Sequence, residues 1–170
     1  MSYFEVFEIP PALALDLKDL EKRFYALSRK LHPDLRRNPA ERAEAEEATA
    51  VLNDAYRTLR DPIRRAEYLL RLEGFDIGEQ TTKDVPPELL EEVFEFNMAL
   101  EEADAEQVDS ARQKFEGTRG DIDEEILHEF GRWDQTRDRE ALVSVRGLLN
   151  RRKYITNLIT TAQSHVPDRV

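Results

Sequence analysis

The sequence predicts an all-α protein made of two helical domains, and three observations lead to this prediction. Apolar residues recur every three or four positions through most of the 170 residues, which is the spacing of one helix face, and no segment alternates as a strand would. Capping residues and prolines occur where successive helices would start. An aperiodic stretch with Gly, Thr and Pro, residues 75–86, separates a half with short helices from a half with long ones.

The first amphipathic helix is predicted from the segment LDLKDLEKRFYALSRKL, residues 15–31. Asp16 is placed to cap its amino terminus. Apolar residues then follow at intervals of three and four, and they form one stripe: Leu17, Leu20, Phe24, Leu27 and Leu31. The repeat breaks at Pro33, because proline lacks a backbone donor and disfavours helical geometry at the residue before it.

A second helix is predicted to begin at the sequence NPAE. Asn38 is its cap, Pro39 is at the first helical position, and Glu41 is placed for a capping box. Its predicted buried face includes small residues that would allow a close approach to the first helix: Ala45, Ala48, Leu52, Ala55 and Leu59. Helices joined by a short loop form an antiparallel hairpin, so we expect one here.

A third short helix is predicted to start at Asp61 and to stop at Gly74. Residues 1–74 are therefore predicted to form the first domain. The second domain, residues 87–170, is predicted to be a three-helix bundle, because long helices with short joins pack antiparallel. Its helices are expected at about 87–103, 105–133 and 137–162.

The net charge of −11 is concentrated in the second half of the chain. Residues 1–74 contain 13 basic and 14 acidic residues, whereas residues 75–170 contain 12 and 22. This split suggests two domains with different partners. Affinity for nucleic acid depends largely on neutralising phosphates, so we expect no nucleic-acid partner for an acidic chain without a dominant basic face.

Composition argues against several further classes of protein. The absence of cysteine excludes disulfides, thiolate metal sites and cysteine nucleophiles. No apolar stretch approaches the roughly 20 residues that span a bilayer. The first residues, MSYFEVFEIPP, have neither the basic region nor the long apolar run of a targeting signal. We therefore expect a cytoplasmic protein with no membrane partner.

The tripeptide His32-Pro33-Asp34 admits three interpretations: a turn, a catalytic pair, or a tip that another protein contacts. Catalysis would need a nucleophile or a second acid in a concave pocket, and an exposed loop offers neither. His128 and His165 are single and remote in sequence, which argues against a histidine metal site. We therefore expect no enzyme activity, no metal and no cofactor. Pro and Asp are common in turns, so the tripeptide alone would be interpreted as a turn.

A basic face on the first helix favours the contact tip. Lys18, Lys22 and Arg29 fall within about 40° of one another, on the side opposite the apolar stripe. This face runs up to the loop, so the basic residues and the tripeptide should form one surface.

The helix predicted from residue 87 carries more apolar residues than one buried face requires. One stripe spans about 60° and should face the bundle. Its members are Leu89, Val93, Phe96 and Leu100. A second stripe is centred about 140° away. It contains Leu90, Phe94 and Met98, flanked by Glu91, Glu95 and Glu102. Because a helix in a three-helix bundle keeps an outer face, we expect an exposed patch, and an apolar patch with an acidic rim is typical of protein-binding sites.

The order of helix, His-Pro-Asp loop and second helix with the sequence NDAYRTLRDPIRRAEY resembles a J domain, the module with which co-chaperones engage a DnaK-class ATPase. Three further segments narrow the resemblance to the HscB family, the co-chaperones of iron–sulfur cluster assembly. They are YFEVFEIP at the start, RAEYLLRLEGFD at the end of the first domain and PPELLEEVFEFNMALEE after the linker. The likeness covers residues 2–103 and extends more loosely to about residue 160.

The resemblance implies two protein partners. One is a HscA/DnaK-class ATPase chaperone, whose ATP hydrolysis the first domain would stimulate. Its contacts would be His32, Pro33, Asp34, Lys18, Lys22 and Arg29. The other is an IscU-type iron–sulfur scaffold protein, cluster-loaded or empty, which the second domain would deliver to the chaperone. The resemblance carries scaffold binding onto Leu90, Phe94 and Glu95 and more loosely onto Tyr154, while Met98, Glu91 and Glu102 complete the surface.

Two alternatives remain beside this interpretation. The chain could be a J-domain co-chaperone for a different client, or a helical structural protein whose tripeptide is only a turn. Some positions also depart from the family patterns. Leu35 follows the tripeptide where J domains usually have Lys or Arg, with Arg36 and Arg37 next. Glu91 stands where the family typically has Met, and Met98 where it often has Glu.

Overall fold

All regular secondary structure in the computed structural model, which describes residues 1–77 and 86–165, is helical. The predicted all-α class is confirmed, since no strand occurs in these two ranges. No helix within them is both long enough and apolar enough to cross a membrane. Most of the predicted linker, residues 78–85, lies outside the described residues, so the predicted domain bounds stay a prediction.

The chain divides into two compact units, Met1–Phe75 and Asp76–Val170. The first contains α1, α2, a 3-10 turn, α3 and α4, whose bounds are Tyr3–Val6, Leu17–Leu31, Pro33–Leu35, Pro39–Leu59 and Pro62–Leu72. The second contains α5, α6 and α7, with bounds Pro87–Leu100, Ala105–Thr136 and Arg139–Ser164. These long helices confirm the three that the sequence predicts after the linker.

The predicted helix starts of the first unit are confirmed by their capping bonds. The Asp16 side chain accepts from the backbone N–H groups of Lys18 and Asp19. Asn38 accepts from the Glu41 N–H at 2.8 Å, but the Glu41 side chain does not return a bond to the Asn38 N–H, so the predicted capping box is only half formed. Each cap satisfies donors that the first turn of a helix otherwise leaves unpaired.

The end of α4 is the other predicted boundary that the structure confirms. Gly74 has a φ of +88°, and the N–H of Phe75 donates to the Leu70 carbonyl at 2.9 Å. This is the bond with which a left-handed glycine closes a helix. A side chain at Gly74 would strain the backbone, because residues with a Cβ rarely adopt this φ.

The α2–α3 hairpin has the core that the apolar stripes predict, with one exception. The rings of Phe24 and Tyr56 stack at 4.1 Å, and Leu20, Leu52 and Ala55 are buried. The exception is Leu17, which is 48 % exposed, so its predicted place in the buried stripe is wrong. Leu17 lies about 50° from the centre of the other four positions on the helix, which explains its exposure.

Two features of the first unit were not predicted. The short helix α1 starts with a capping box between Ser2 and Glu5 and packs on α3. The buried side chain of Arg65 donates from Nε to the Leu59 carbonyl at 2.8 Å and from Nη1 to the Leu13 carbonyl at 2.6 Å. These bonds fix the segment before α2 to the junction of α3 and α4, and thereby hold the hairpin in place.

The second unit is dominated by the α6–α7 pair. These helices pack along their length, and their buried residues include Ile122, Ile126, Phe130, Val145 and Ile155. α6 is continuous through Gly117 and Gly120, although glycine disfavours helix there. The packing energy of the long apolar face outweighs this local preference.

The turn from α6 to α7 is held by charged residues. Arg137 adopts the left-handed conformation, with a φ of 58°, and its guanidinium lies 4.1 Å from the centre of the Trp133 ring. Asp138 caps α7, accepting from the Glu140 N–H at 3.0 Å, and the Arg132 guanidinium lies 2.9 Å from its carboxylate. The hydrogen bond from the Glu140 N–H lowers the pKa of Asp138 below its usual value, and the bond from Arg132 lowers it further by a smaller amount. The carboxylate therefore stays ionised and keeps capping the helix.

Candidate partner-binding surfaces

The tripeptide forms the exposed end of the α2–α3 hairpin, and we call its residues His32, Pro33 and Asp34 the tip. Pro33 starts the 3-10 turn, and the His32 imidazole Nδ1 accepts from the Asp34 N–H at 3.2 Å. The His32 and Asp34 side chains are 57 % and 90 % exposed. Because Nδ1 acts as the acceptor, the neutral imidazole carries its proton on Nε2, which can donate to a partner. The tip thus offers one donor and one carboxylate from a rigid turn.

Short-range hydrogen bonds shape the turn that carries the tip and join it to the start of α3. The Arg36 N–H donates to the Pro33 carbonyl at 3.0 Å, and the Leu35 N–H donates to the His32 carbonyl at 3.1 Å. The Arg42 guanidinium, at the start of α3, donates to the Arg36 carbonyl at 3.3 Å. The orientation of the tip is therefore set by the backbone rather than by burial of its side chains.

The predicted basic face of α2 is exposed. Lys18, Lys22 and Arg29 all face solvent, and within residues 1–77 and 86–165 no carboxylate lies within salt-bridge distance of them. These cations are therefore available to an acidic partner. Sequence reasoning missed Tyr25, which is 53 % exposed. Tyr25 lies about 20° from Lys18 on the helical wheel, at the edge of the basic face, so its angular position was the signal that could have found it.

The catalytic and metal interpretations of the histidines gain no support from the arrangement of side chains. The His32 Nδ1 lies 3.6 Å from the Asp34 carboxylate, while His128 and His165 belong to α6 and to the end of α7 in the other unit. Across the described part of the chain, no group of three or more His, Asp or Glu side chains is placed to hold a metal ion.

The second predicted surface lies on α5, and we call it the α5 patch. It consists of Leu90, Phe94 and Met98, with Glu91 and Glu95 beside them on the helix and Glu102 in the turn after it. Phe94 and Met98 are 65 % and 60 % exposed, and all three glutamates are exposed. Leu90 is half-buried, because on the helical wheel it lies only about 60° from Val93 at the edge of the core stripe.

The other face of α5 contacts the α6–α7 pair, as its apolar stripe predicts. Leu100 is buried and Phe96 packs edge to face with Phe115 of α6 at 4.7 Å. Leu89 and Val93 are half-buried. Tyr154, the predicted outlying contact, is half-buried on α7, a helix against which α5 packs.

Comparisons with known proteins agree on both units. The family model of the DnaJ domain matches residues 2–68, and the model of the HSCB C-terminal oligomerisation domain matches residues 85–163. Co-chaperone protein HscB homolog of Shewanella loihica is 33 % identical over 165 residues, which cover 93 % of each chain.

Solved structures resemble the whole chain. The crystal structure of the human co-chaperone protein HscB gives a TM-score of 0.76 at 25 % identity, covering 96 % of this chain and 81 % of the human one. Chaperone HscB from Vibrio cholerae gives a TM-score of 0.65 at 27 % identity, covering 96 % of each chain.

These matches settle the family and one class of partner. A DnaJ domain works with an Hsp70-type chaperone, so this chain has a partner of that type. Co-chaperones of this kind are in general not enzymes. The chain belongs to the HscB family, the J-domain co-chaperones of iron–sulfur cluster assembly.

Proposed function

We propose that the chain acts in the cytoplasm as an adaptor between two proteins. The tip and the basic face bind a HscA/DnaK-class ATPase and stimulate it, and the α5 patch binds an IscU-type iron–sulfur scaffold protein and delivers it for cluster transfer. The observation that carries the proposal is that the two surfaces belong to different compact units, so that no residue is needed by both partners.

The tip supports the first half of this proposal. A co-chaperone accelerates hydrolysis only if it binds the hydrolysis-competent state of the ATPase more tightly than the resting state. The Nε2–H of His32 and the carboxylate of Asp34 form a donor and acceptor pair at a fixed spacing. Such a pair distinguishes two arrangements of a partner's polar groups, because hydrogen bonds depend strongly on distance and angle.

The basic face would bring the ATPase to the tip. Exposed cations that are free of carboxylates attract an acidic surface from a distance and raise the association rate. Leu35 is 63 % exposed where J domains usually have a basic residue, and Arg37, two positions later, is exposed as well. A cation is therefore still available beside the tip.

The α5 patch supports the second half. Large apolar side chains at the centre of an interface carry much of its binding energy, and acidic residues around them favour a basic partner. Glu91 is acidic where the family typically has Met, and Met98 is apolar where the family often has Glu. They lie seven positions apart, which places them about 20° from each other on the helix, and both are exposed. The exchange thus keeps one acidic and one apolar side chain on the same face.

Titration of the full chain with each partner tests the proposal. We expect it to raise the steady-state ATPase rate of a HscA-class chaperone and to bind an IscU-type scaffold by calorimetry, and we expect the scaffold to bind the chaperone more tightly when the chain is present. ATPase stimulation without scaffold binding would indicate a co-chaperone for a different client. Failure of both would indicate a helical structural protein.

A further inference from the structure

A groove between α5 and α6 is not used by the proposed function. Its volume is about 440 Å³, and it lies within the second unit at the end of α5. Leu100 and Val108 are buried and form its floor, where they cluster with Ala162 of α7. Ala99, Ala103 and Ala111 line its walls, and their small side chains leave the space open.

Existing contacts hold both ends of this α5–α6 groove. At one end, Phe96 lines the groove and is fixed by its edge-to-face contact with Phe115 at 4.7 Å. At the other end, Asp104 and Gln107 form a capping box, with bonds of 2.8 Å and 3.0 Å. A ligand would therefore enter a preformed site and would not have to order these side chains, which favours affinity.

The groove is continuous with the α5 patch. Glu102 belongs to the patch and also lines the groove, and it lies four residues after Met98, in the turn that follows α5. A partner that covers Met98 therefore reaches the mouth of the groove past a carboxylate. The groove is apolar inside and acidic at its rim, which suits an apolar side chain with a cation beside it.

We propose that the α5–α6 groove is an anchor pocket for the protein that binds the α5 patch. Its occupant is an apolar side chain of that partner, in a segment with a Lys or Arg that pairs with Glu102. This inference rests on the proposed function, because the partner is the same scaffold protein. A second copy of this chain is the weaker candidate, since a two-fold interface there would bring the two acidic rims together.

Ala111→Leu fills the groove from α6 without changing any residue of the α5 patch. We expect the affinity of the full chain for a purified IscU-type scaffold to fall at least tenfold, because the anchor side chain can no longer enter. The melting temperature should stay the same or rise, since the added side chain fills apolar space. ATPase stimulation measured without scaffold should be unchanged, because it depends on the other unit.

Two further variants provide the controls. Ala99→Leu fills the groove from α5. Ala99 is exposed, so the substitution should leave folding stability nearly unchanged, and it should reproduce the loss of scaffold affinity. Ser110→Leu adds similar bulk at an exposed position of α6 that does not line the groove, and it should bind scaffold like the wild type.

Several results would overturn the inference. Folded Ala111→Leu and Ala99→Leu variants that bind scaffold normally would show that the groove is not used, and would leave the proposed function standing. If Ser110→Leu lost as much scaffold affinity as Ala111→Leu, filling the groove would not be the cause of the loss. If the wild type is a dimer, and Ala111→Leu makes it a monomer without changing scaffold binding, the groove binds a second copy of the chain. A wild type that does not bind scaffold would overturn the proposed function and this inference together.

Discussion

The tip of the first unit and the α5 patch of the second are two exposed surfaces of opposite character. The tip is polar, and hydrogen bonds between near neighbours in sequence fix its shape. The patch is apolar at its centre, where Phe94 and Met98 keep more than half of their surface in solvent. Recognition by the tip therefore depends on hydrogen-bond geometry, whereas recognition by the patch depends on apolar area removed from water. Changes at either surface should therefore leave the other intact.

The largest expected effect is at the tip. His32→Gln should reduce ATPase stimulation to the unstimulated rate, because glutamine lacks the ring nitrogen Nδ1 that accepts from the Asp34 N–H and fixes the Nε2 donor relative to the carboxylate. Scaffold affinity and melting temperature should remain those of the wild type, since the His32 side chain is exposed and buries no core residue. Steady-state ATPase assays with thermal melts check this. Normal stimulation by the variant would contradict the role of the tip, and a large loss of stability would favour a purely structural turn.

The next effect is at the α5 patch. Replacing both Leu90 and Phe94 by Ser should weaken scaffold binding at least tenfold, about 1.4 kcal/mol, with ATPase stimulation unchanged. The cost in folding stability should be small, about 0.5 kcal/mol for exposed Phe94 and somewhat more for half-buried Leu90. Calorimetric titration and thermal melts measure both quantities.

Val145→Ser is the matched control for the patch. Val145 is fully buried on α7, so the substitution should destabilise the unit by one kcal/mol or more through lost burial and a buried hydroxyl. If the Leu90→Ser/Phe94→Ser variant unfolds, the stripe that contains Leu90 and Phe94 is a buried face of α5 and not an exposed one. A stable patch variant that binds scaffold normally would move the site elsewhere, with Tyr154 the next residue to test.

A smaller, salt-dependent effect is expected from the basic face. Lys22→Glu with Arg29→Glu should slow association with the ATPase severalfold, because like charges would then oppose the approach. Added salt should weaken wild-type association, since exposed charges are screened beyond about 10 Å at 0.1 M. Stopped-flow association rates at several salt concentrations measure this. Rates that do not change with salt would rule out electrostatic steering.

The smallest effect concerns stability alone. Gly117→Ala and Gly120→Ala lie at exposed positions of α6 where an added Cβ meets no atom within 4 Å. Each should stabilise the second unit by about 0.5–1 kcal/mol, because alanine loses less conformational entropy in a helix. Neither partner should bind differently, and thermal melts measure the gain. A loss of stability would show that α6 needs a flexible middle.

Local signals made much of the fold predictable from sequence. Asp16, Asn38 and Gly74 act within one helical turn, and the structure confirms each of them. Burial was predicted less completely, because it depends on which helices lie opposite. Leu17 and Leu90 both lie at the edges of their stripes, where the angle alone does not decide whether a neighbour covers them.

Features that join distant parts of the chain were not predictable in the same way. Arg65 resembles any surface arginine in sequence, and its burial depends on carbonyls 6 and 52 positions away. The α5–α6 groove likewise exists only because alanines from two helices come together in the bundle. The α5 patch was predictable because both its stripes lie on a single helix, whose geometry is known in advance.

The hydrogen bonds that shape the tip make it a transplantable element. They join residues no more than six positions apart, and all of them lie within the turn and the start of α3. Residues 28–42, moved onto another antiparallel helix pair of the same spacing, should keep their conformation. A graft of this kind would carry the contact chemistry of a J domain into an unrelated helical protein.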